Sequence, residues 1–334
     1  MSASRPQDSW SVINSQYGDH GGFPAFSNSV YMGAWQDAST PPAGVDQSQL
    51  AAEADALSSF LGITDLTDAQ IVVATQSGTC PQGFYSPSCN GGSGNYCAWH
   101  SNSNEPYTNL PYILDAGGGC GEDSVQNQYD GFSIVGGHEY AETVTDPFPT
   151  SGWWDGSDPF GGEIGDKCAW VDPVTGGSDL GLVTLSTGTY AMQPLFSNNA
   201  LNLTGDGCVM HPVGLVTGYR GLCLATNAPV TSGSPAFIAA CSGGGYQKWQ
   251  LVHGELQAGG KCLTDPSSGG SGTKLVVQTC GGLLSQRWAR NSAGEYRLSS
   301  PGLCLTDPGN SITAGTQVQV QTCANAADQH WSIP

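Results

Sequence analysis

Near its C-terminal end the chain repeats itself three times: "CLATNAPVTSGSPAFIAACSGGGYQKW", "CLTDPSSGGSGTKLVVQTCGGLLSQRW" and "CLTDPGNSITAGTQVQVQTCANAADQHW". Each segment opens on a cysteine and closes on Gln-x-Trp. The second cysteine always stands six residues before the Gln: Cys241 to Gln247, Cys280 to Gln286, Cys323 to Gln329. A unit this short cannot bury its hydrophobic face alone, so three of them must share one core. Gly, Ser and Pro between the apolar runs mark short strands joined by turns. Trp249, Trp288 and Trp331 are then core aromatics. Cys223–Cys241, Cys262–Cys280 and Cys304–Cys323 are the natural disulfides, each closing a short loop and contributing about 3 kcal/mol in the chain-entropy account.

At these residues the chain resembles the ricin B-type lectin family, over about residues 206–334. The resemblance implies an all-β β-trefoil that binds galactose-like or xylan-like sugars on the surface of each repeat. The family's sites use an Asp two residues after the first cysteine, an aromatic two before the second, and an Asn before Gln-x-Trp. This sequence departs at all three places, with Ala225, Thr264 and Thr306, then Ala239, Gln278 and Gln321, then Tyr246, Ser285 and Asp328. Asp265 and Asp307, one position later, serve as displaced acceptors, and Gln319 stands where a polar sugar contact is common. These three are the candidate carbohydrate contacts, since a sugar site needs fixed polar groups beside a stacking ring.

The 334 residues exceed one small domain, so the division expected is 1–205 and 206–334. Twelve cysteines with no Cys-x-x-Cys pair favour disulfides in an oxidising compartment over a zinc ribbon or redox motif. Charge is uneven. Up to residue 200 only Arg5 and Lys167 are basic, against 22 Asp and Glu, whereas the remainder carries seven Lys and Arg against six acids. So negative a first part repels phosphate backbones and argues against nucleic acid as a partner. No stretch approaches the ~20 apolar residues of a membrane span. The opening "MSASRPQDSW" lacks the apolar region of a signal peptide. A secreted, extracellular, monomeric protein, written here as a mature fragment restarted with methionine, is the expectation.

The first part mixes helix and strand. "DQSQLAAEADALSSFLG" (46–62) spaces Leu50, Ala54, Leu57 and Phe60 for one helix face behind an Asp cap. "AQIVVATQ" (69–76) reads as a strand, and "LPYILDAGG" (110–118) as a second. "GFSIVGGHEYAETVTDP" reads as a helix closed by Pro147, with Phe132, Val135, Tyr140 and Val144 on its buried side. His138 and Glu142 then stand one turn apart on one face, with Glu139 beside them. Imidazole and carboxylate are good Zn²⁺ ligands, and a free carboxylate can take a proton from metal-bound water.

In the His-Glu-x-x-His zinc peptidases that base is the glutamate after the first histidine. Here Glu142 replaces the second histidine. "GGEIGDKCAW" supplies Glu163, 21 residues beyond Glu142, and Asp166. The spacing is similar to that of thermolysin-like peptidases, where a glutamate from the next helix completes the shell and an Asp beyond it orients the first histidine. The expected metal residues are therefore His138, Glu142, Glu163 and Asp166, the last in the outer shell, with Glu139 as general base. Asp146 and Asp155 are reserve ligands. His100 in "CAWHS" is a further ligand or a donor to the transition state, with a structural hydrogen bond as its plainer role. Trp153, Trp154 and Trp170 flank the acids and could wall a cleft. Cys80–Cys89, Cys97–Cys120 and Cys168–Cys208 complete the pairing. Ser133 and Ser151 have no His and Asp partners that would make a serine triad.

The run "HEYAETVTDPFPTSGWWD...GEIGDKCAW", with "IVVATQ...CAWHS" and "LPYILDAG" before it, resembles secreted bacterial relatives of the plant exordium, or phosphate-induced, protein family over about residues 70–208. The resemblance implies secretion and one site containing His138, Glu139, Glu142, Glu163 and Asp166, but no reaction. Together these features predict an α+β, zincin-like domain followed by the β-trefoil. The function they favour is a zinc endopeptidase acting on protein or peptide and docked on glycan or cell-wall polysaccharide. A one-histidine, two-carboxylate set is harder than His₂Glu, which leaves Mn²⁺ or Ca²⁺ as alternative ions. Two alternatives stand beside this: a glycoside hydrolase using two of Glu139, Glu142, Asp155 and Glu163, and a noncatalytic binder with a structural Ca²⁺.

Overall fold

The computed structural model describes residues 10–18, 31–64, 69–89, 94–149, 151–158, 161–169, 180–185, 187–201, 207–291 and 293–332. Two compact units emerge, Ile13–Phe196 and one that includes Ser197–Pro334. The expected boundary at residues 205 and 206, and Trp170, lie outside the described residues.

In the second unit the repeats close on a shared apolar core that includes Leu224, Leu263 and Leu305, then Ile238, Val277 and Val320, then Trp249, Trp288 and Trp331. Each trio supplies one residue per repeat from equivalent places. Its strands are two to five residues long, as in the antiparallel pair Cys223–Ala225 with Phe237–Ala239 and the sheet that joins Cys304–Thr306 to Gln319–Gln321. The Gln-x-Trp motif has a local cause. Each indole Nε1 donates to the carbonyl of the residue after the first cysteine: Trp249 to Leu224 O (3.0 Å), Trp288 to Leu263 O (3.1 Å), Trp331 to Leu305 O (3.0 Å). Each Gln donates and accepts across the loop at the second cysteine, as Gln286 does with Thr279 O (3.0 Å) and the Gly281 N–H (2.9 Å). Buried backbone polar groups need such partners, so both letters recur wherever the loop does. The disulfides Cys223–Cys241, Cys262–Cys280 and Cys304–Cys323 form as expected.

The first unit mixes helices and sheet. Helix α1 (Gln47–Leu61) starts in a reciprocal capping box, Asp46 accepting from the Gln49 N–H and Gln49 from the Asp46 N–H, each at 3.0 Å, and ends at Gly62 with φ 66°. Strands β1 (Ile71–Ala74), β2 (Trp99–Asn102) and β3 (Pro106–Leu110) form a sheet in the order β1-β3-β2, with β1 parallel and β2 antiparallel to β3. Helix α2 (Asp130–Thr145) packs on this sheet and on the hairpin of β4 (Gly181–Leu185) and β5 (Gly188–Met192). Its first residue, Asp130, is buried and accepts three backbone N–H bonds from Val125, Gln126 and Asn127. Cys80–Cys89 and Cys97–Cys120 are formed, and no cysteine is free, Cys168 and Cys208 included.

Three expectations change. Phe60 is 67% exposed and stacks on Trp35 at 5.7 Å instead of joining the core, because the buried stripe of α1 runs Leu50, Ala54, Ser58. The strand expected over 110–118 ends at Leu110, since Pro111 has no N–H for the ladder, and Ile113–Cys120 turns as a 3₁₀ helix. Helix α2 is not amphipathic: Glu139, Glu142 and Thr143 are buried while Tyr140 and Val144 are only half-buried, so its polar letters face inward.

Candidate metal centre

Six ionisable side chains from three segments converge in the first unit. Helix α2 contributes His138, Glu139 and Glu142, strand β2 contributes His100, and the turn before the 3₁₀ helix Asp166–Cys168 contributes Glu163 and Asp166. Glu142 is the junction. Its Oε1 lies 3.0 Å from His138 Nε2 and its Oε2 3.6 Å from His100 Nδ1. His100 Nδ1 also lies 3.4 Å from Glu139 Oε2, and His138 Nε2 lies 3.6 Å from Asp166 Oδ1. Two ligands bound ~2.1 Å from a tetrahedral ion sit about 3.4 Å apart, so these ion-pair separations would also suit a ligand shell. Two triads bring three ligand atoms within 4.8 Å of one another, His138 with Glu139 and Glu142, and His100 with Glu142 and Glu163.

The far nitrogens of both rings face neutral acceptors. His138 Nδ1 meets Gln193 Oε1 at 3.1 Å, and Gln193 is held the right way round because its Nε2 donates to Gly165 O at 2.9 Å. His100 Nε2 faces the Asp146 carbonyl at 3.3 Å and Glu163 Oε1 at 3.5 Å. Each ring thus sets one nitrogen on an outer acceptor and turns the other toward carboxylates. A neutral imidazole lone pair facing carboxylate oxygens is repulsive, so the pocket demands positive charge there, as protons or as a cation. Metal-ligating histidines are held in this way, with the outer N–H on a carbonyl, amide or carboxylate.

Glu163 lies against the outer nitrogen of His100, and Asp166 near the inner nitrogen of His138. Glu163 Oε1 is buried within ion-pair range of His100 but in no hydrogen-bond geometry. Asp155 is taken by Lys167 Nζ (2.7 Å), while Asp146 Oδ1 accepts the Ser151 and Gly152 N–H groups and the Asp146 charge helps raise Glu163. Trp153 stacks on Phe196 at 5.4 Å, while Trp154 is 54% exposed and donates to Gly161 O. A cleft of about 490 Å³ is lined by His138, Glu139, Asp166, Lys167 and Gln193 among others. His100 and Glu142 stand behind that wall.

Titration follows from this crowding. Burial opposes charge on His100, yet hydrogen bonds to Glu139 and Glu142 override it and push the imidazole up to about 10. His138 is likewise raised well above its ordinary value, against its burial, by Glu142 and Asp166. Burial and then the charge on Glu142 push Glu163 up to about 8, while His138 and His100 hold Glu142 down at about 2 despite burial. A carboxyl raised in the fold stabilises below its unfolded value near 4.5, and that contribution fades as pH climbs through about 8. The metal-free protein should therefore lose Tm between those pH values. Bound cation should remove the loss and release at least about one proton per ion at pH 7, read by calorimetry in two buffers.

In the trefoil the three proposed sugar contacts are placed differently. Asp265 and Asp307 are buried, at 1% and 0% exposure, and Gln319 is half-buried opposite Thr306. Asp265 Oδ1 accepts from the Ser267 and Gly269 N–H groups and so fastens its own turn. Burial and the Asp328 charge push Asp307 up to about 6.

Residues 212–331 match the ricin-type β-trefoil lectin domain, and this region is such a domain, a carbohydrate-binding class. Among solved structures the chain is similar to a non-toxic homologue of type II RIPs from Momordica charantia (bitter gourd) in complex with alpha-methyl-D-galactoside. The identity is 26% and the TM-score 0.34, over 36% of this chain and 47% of that one. The agglutinin from Abrus precatorius matches at 23% identity and TM-score 0.34, over 36% and 48%. The designed three-fold symmetric protein ThreeFoil matches at 22% and 0.33, over 36% and 95%. The chain spans about half the length of the first two. No curated protein matches the chain, and no helix among the described residues is long and apolar enough to cross a membrane.

Proposed function

We propose that this is a secreted, divalent-metal-dependent endopeptidase of zincin-like design whose trefoil holds it on glycan or cell-wall polysaccharide. The observation that carries the reading is the pair of imidazoles, each with one nitrogen on an outer acceptor and the other on Glu142. His138 and Glu142 are the ligands one helical turn apart. The loop carboxylates Glu163 and Asp166 close the shell, and His100 balances Glu142 from behind. With His138 as the one imidazole ligand, Zn²⁺, Mn²⁺ and Ca²⁺ are all candidate ions. The ion would polarise a peptide carbonyl and acidify a bound water. Glu139, in the cleft wall beside His138, would be the group placed to accept a proton there.

Elemental analysis of the purified protein tests this. About one zinc per chain, lost in His138→Ala together with casein hydrolysis, is the expected result. Protein that neither holds nor takes up zinc, Mn²⁺ or Ca²⁺ at this cluster would sink it. The glycosidase reading rests on one observation, that Glu163 is raised to about 8 and Glu142 lowered to about 2, the split an acid and a base require. It predicts polysaccharide cleavage that survives chelation.

A further inference from the structure

Away from the metal centre, the first unit buries a carboxylate that no well-formed hydrogen bond answers. Glu105, in the turn between β2 and β3, is 0% exposed, and neither of its oxygens has a hydrogen-bond partner. Among the described residues no cation pairs with it. Its neighbours are oxygens. Ser103 Oγ donates to Asp55 Oδ2 at 3.1 Å, the Asn104 N–H reaches Asp55 Oδ1 at 3.5 Å, and Ser58 stands one turn after Asp55 on the same buried side of α1. Ser58 has one proton, and it goes to Asp55 O at 3.1 Å. It could serve Glu105 only by giving up that bond, and then only one of the two oxygens. Burial, and beyond it the charge on Asp55, disfavour ionising Glu105, while the nearby Ser58 hydroxyl and its own backbone N–H oppose them.

A buried carboxylate without a donor is costly unless it is neutralised. Here the Ser58 hydroxyl and a second carboxylate, Asp55, act on it, and Asp55 in turn holds the Ser103 hydroxyl, a set of side chains with no nitrogen or sulfur. We propose that Asp55, Ser58, Ser103 and Glu105 form a second cation site, for Ca²⁺, that ties α1 to the β2–β3 turn. Hard oxygens in this number favour Ca²⁺ over Zn²⁺. Half-buried Asp55 and Ser103 and exposed Asn104 give the ion its way in from solvent. The ion would fix the hairpin whose first strand carries His100, so its loss would loosen the metal centre from a distance. The inference does not depend on the peptidase reading, because the site lies on other residues and is counted by its own ion.

The test is calcium titration of the chelator-treated full chain, with zinc added first to fill the cluster on α2. One Ca²⁺ per chain is expected, with a Tm rise of several degrees that zinc alone does not give. The same equivalent should remain in Glu139→Gln. Glu105→Gln, which keeps shape but not charge, should weaken calcium binding at least about 10-fold and abolish the Tm rise. Absence of a calcium equivalent in the zinc-filled wild type overturns the proposal. So does a Glu105→Gln protein that binds calcium as the wild type does, which would make Glu105 a neutral buried acid. If Glu105→Gln does not fold, Asp55→Asn decides, and unchanged calcium affinity there is equally fatal.

Discussion

If the proposed mechanism holds, Glu139→Gln is expected to keep its metal and lose about 10²- to 10⁴-fold in kcat/KM, the range a positioned general base supplies. The substitution preserves size and an oxygen that can face His100 Nδ1, which lies 3.4 Å from the native carboxylate. What it removes is the capacity to accept a proton. Glu139 suits the role because it is 4% exposed and yet lines the cleft, whereas Glu142, equally buried, stands behind. Its carboxyl is raised from the ordinary value chiefly by burial and then by Glu142, partly offset by hydrogen bonding to His100 and the charge of His138, and a raised base takes a proton at less cost near neutral pH. Peptide hydrolysis and metal content measured on the same preparation separate the outcomes. Full activity would remove Glu139 from the chemistry. Loss of the ion would make it a ligand, in the triad it already forms with His138 and Glu142.

The trefoil was legible because each repeated letter answers a separate local demand. The cysteines close the loop, the Gln satisfies that loop's backbone, and the Trp fills the core while its Nε1 caps a strand carbonyl. Three copies make those demands visible as a pattern. The first unit has no repeat, and its central helix hides its role because polar letters lie inward, so Tyr140 and Val144 looked like core and are half-buried. The i, i+4 pair His138 and Glu142 could be read from spacing alone. Gln193 could not: it lies 55 residues from His138, in no motif, and only the β5 hairpin packed on α2 brings it to the ring. The relation between Glu163 and Asp166 was hidden for a similar reason. The spacing was similar to that of peptidases whose next helix carries the glutamate, but here the segment is a turn and a short 3₁₀ helix, which points the two carboxylates to different histidines.

Gly165→Ala is expected to empty the centre of metal and take activity with it, although the change adds one methyl group. The φ of Gly165 is −78°, open to any residue, so the requirement is for space. A Cβ there would stand 2.8 Å from Glu142 Oε1 and 2.9 Å from His138 Nδ1, with the imidazole Cε1 at 3.0 Å. None of these groups can retreat cheaply. His138 is held by Gln193, Gln193 is held by the carbonyl of Gly165 itself, and Glu142 Oε1 accepts the Asp166 N–H at 3.0 Å. The loop must therefore move, carrying Glu163 and Asp166 with it. Displacing catalytic groups by ~1 Å costs about 10²-fold in rate, and overpacking of this kind costs roughly 1–3 kcal/mol in stability. Zinc content, hydrolysis and Tm, with sugar binding as the control for the trefoil, read all of this in one variant. Retained metal and full activity in Gly165→Ala would mean that the loop is not part of the centre and that α2 and His100 hold the ion without it.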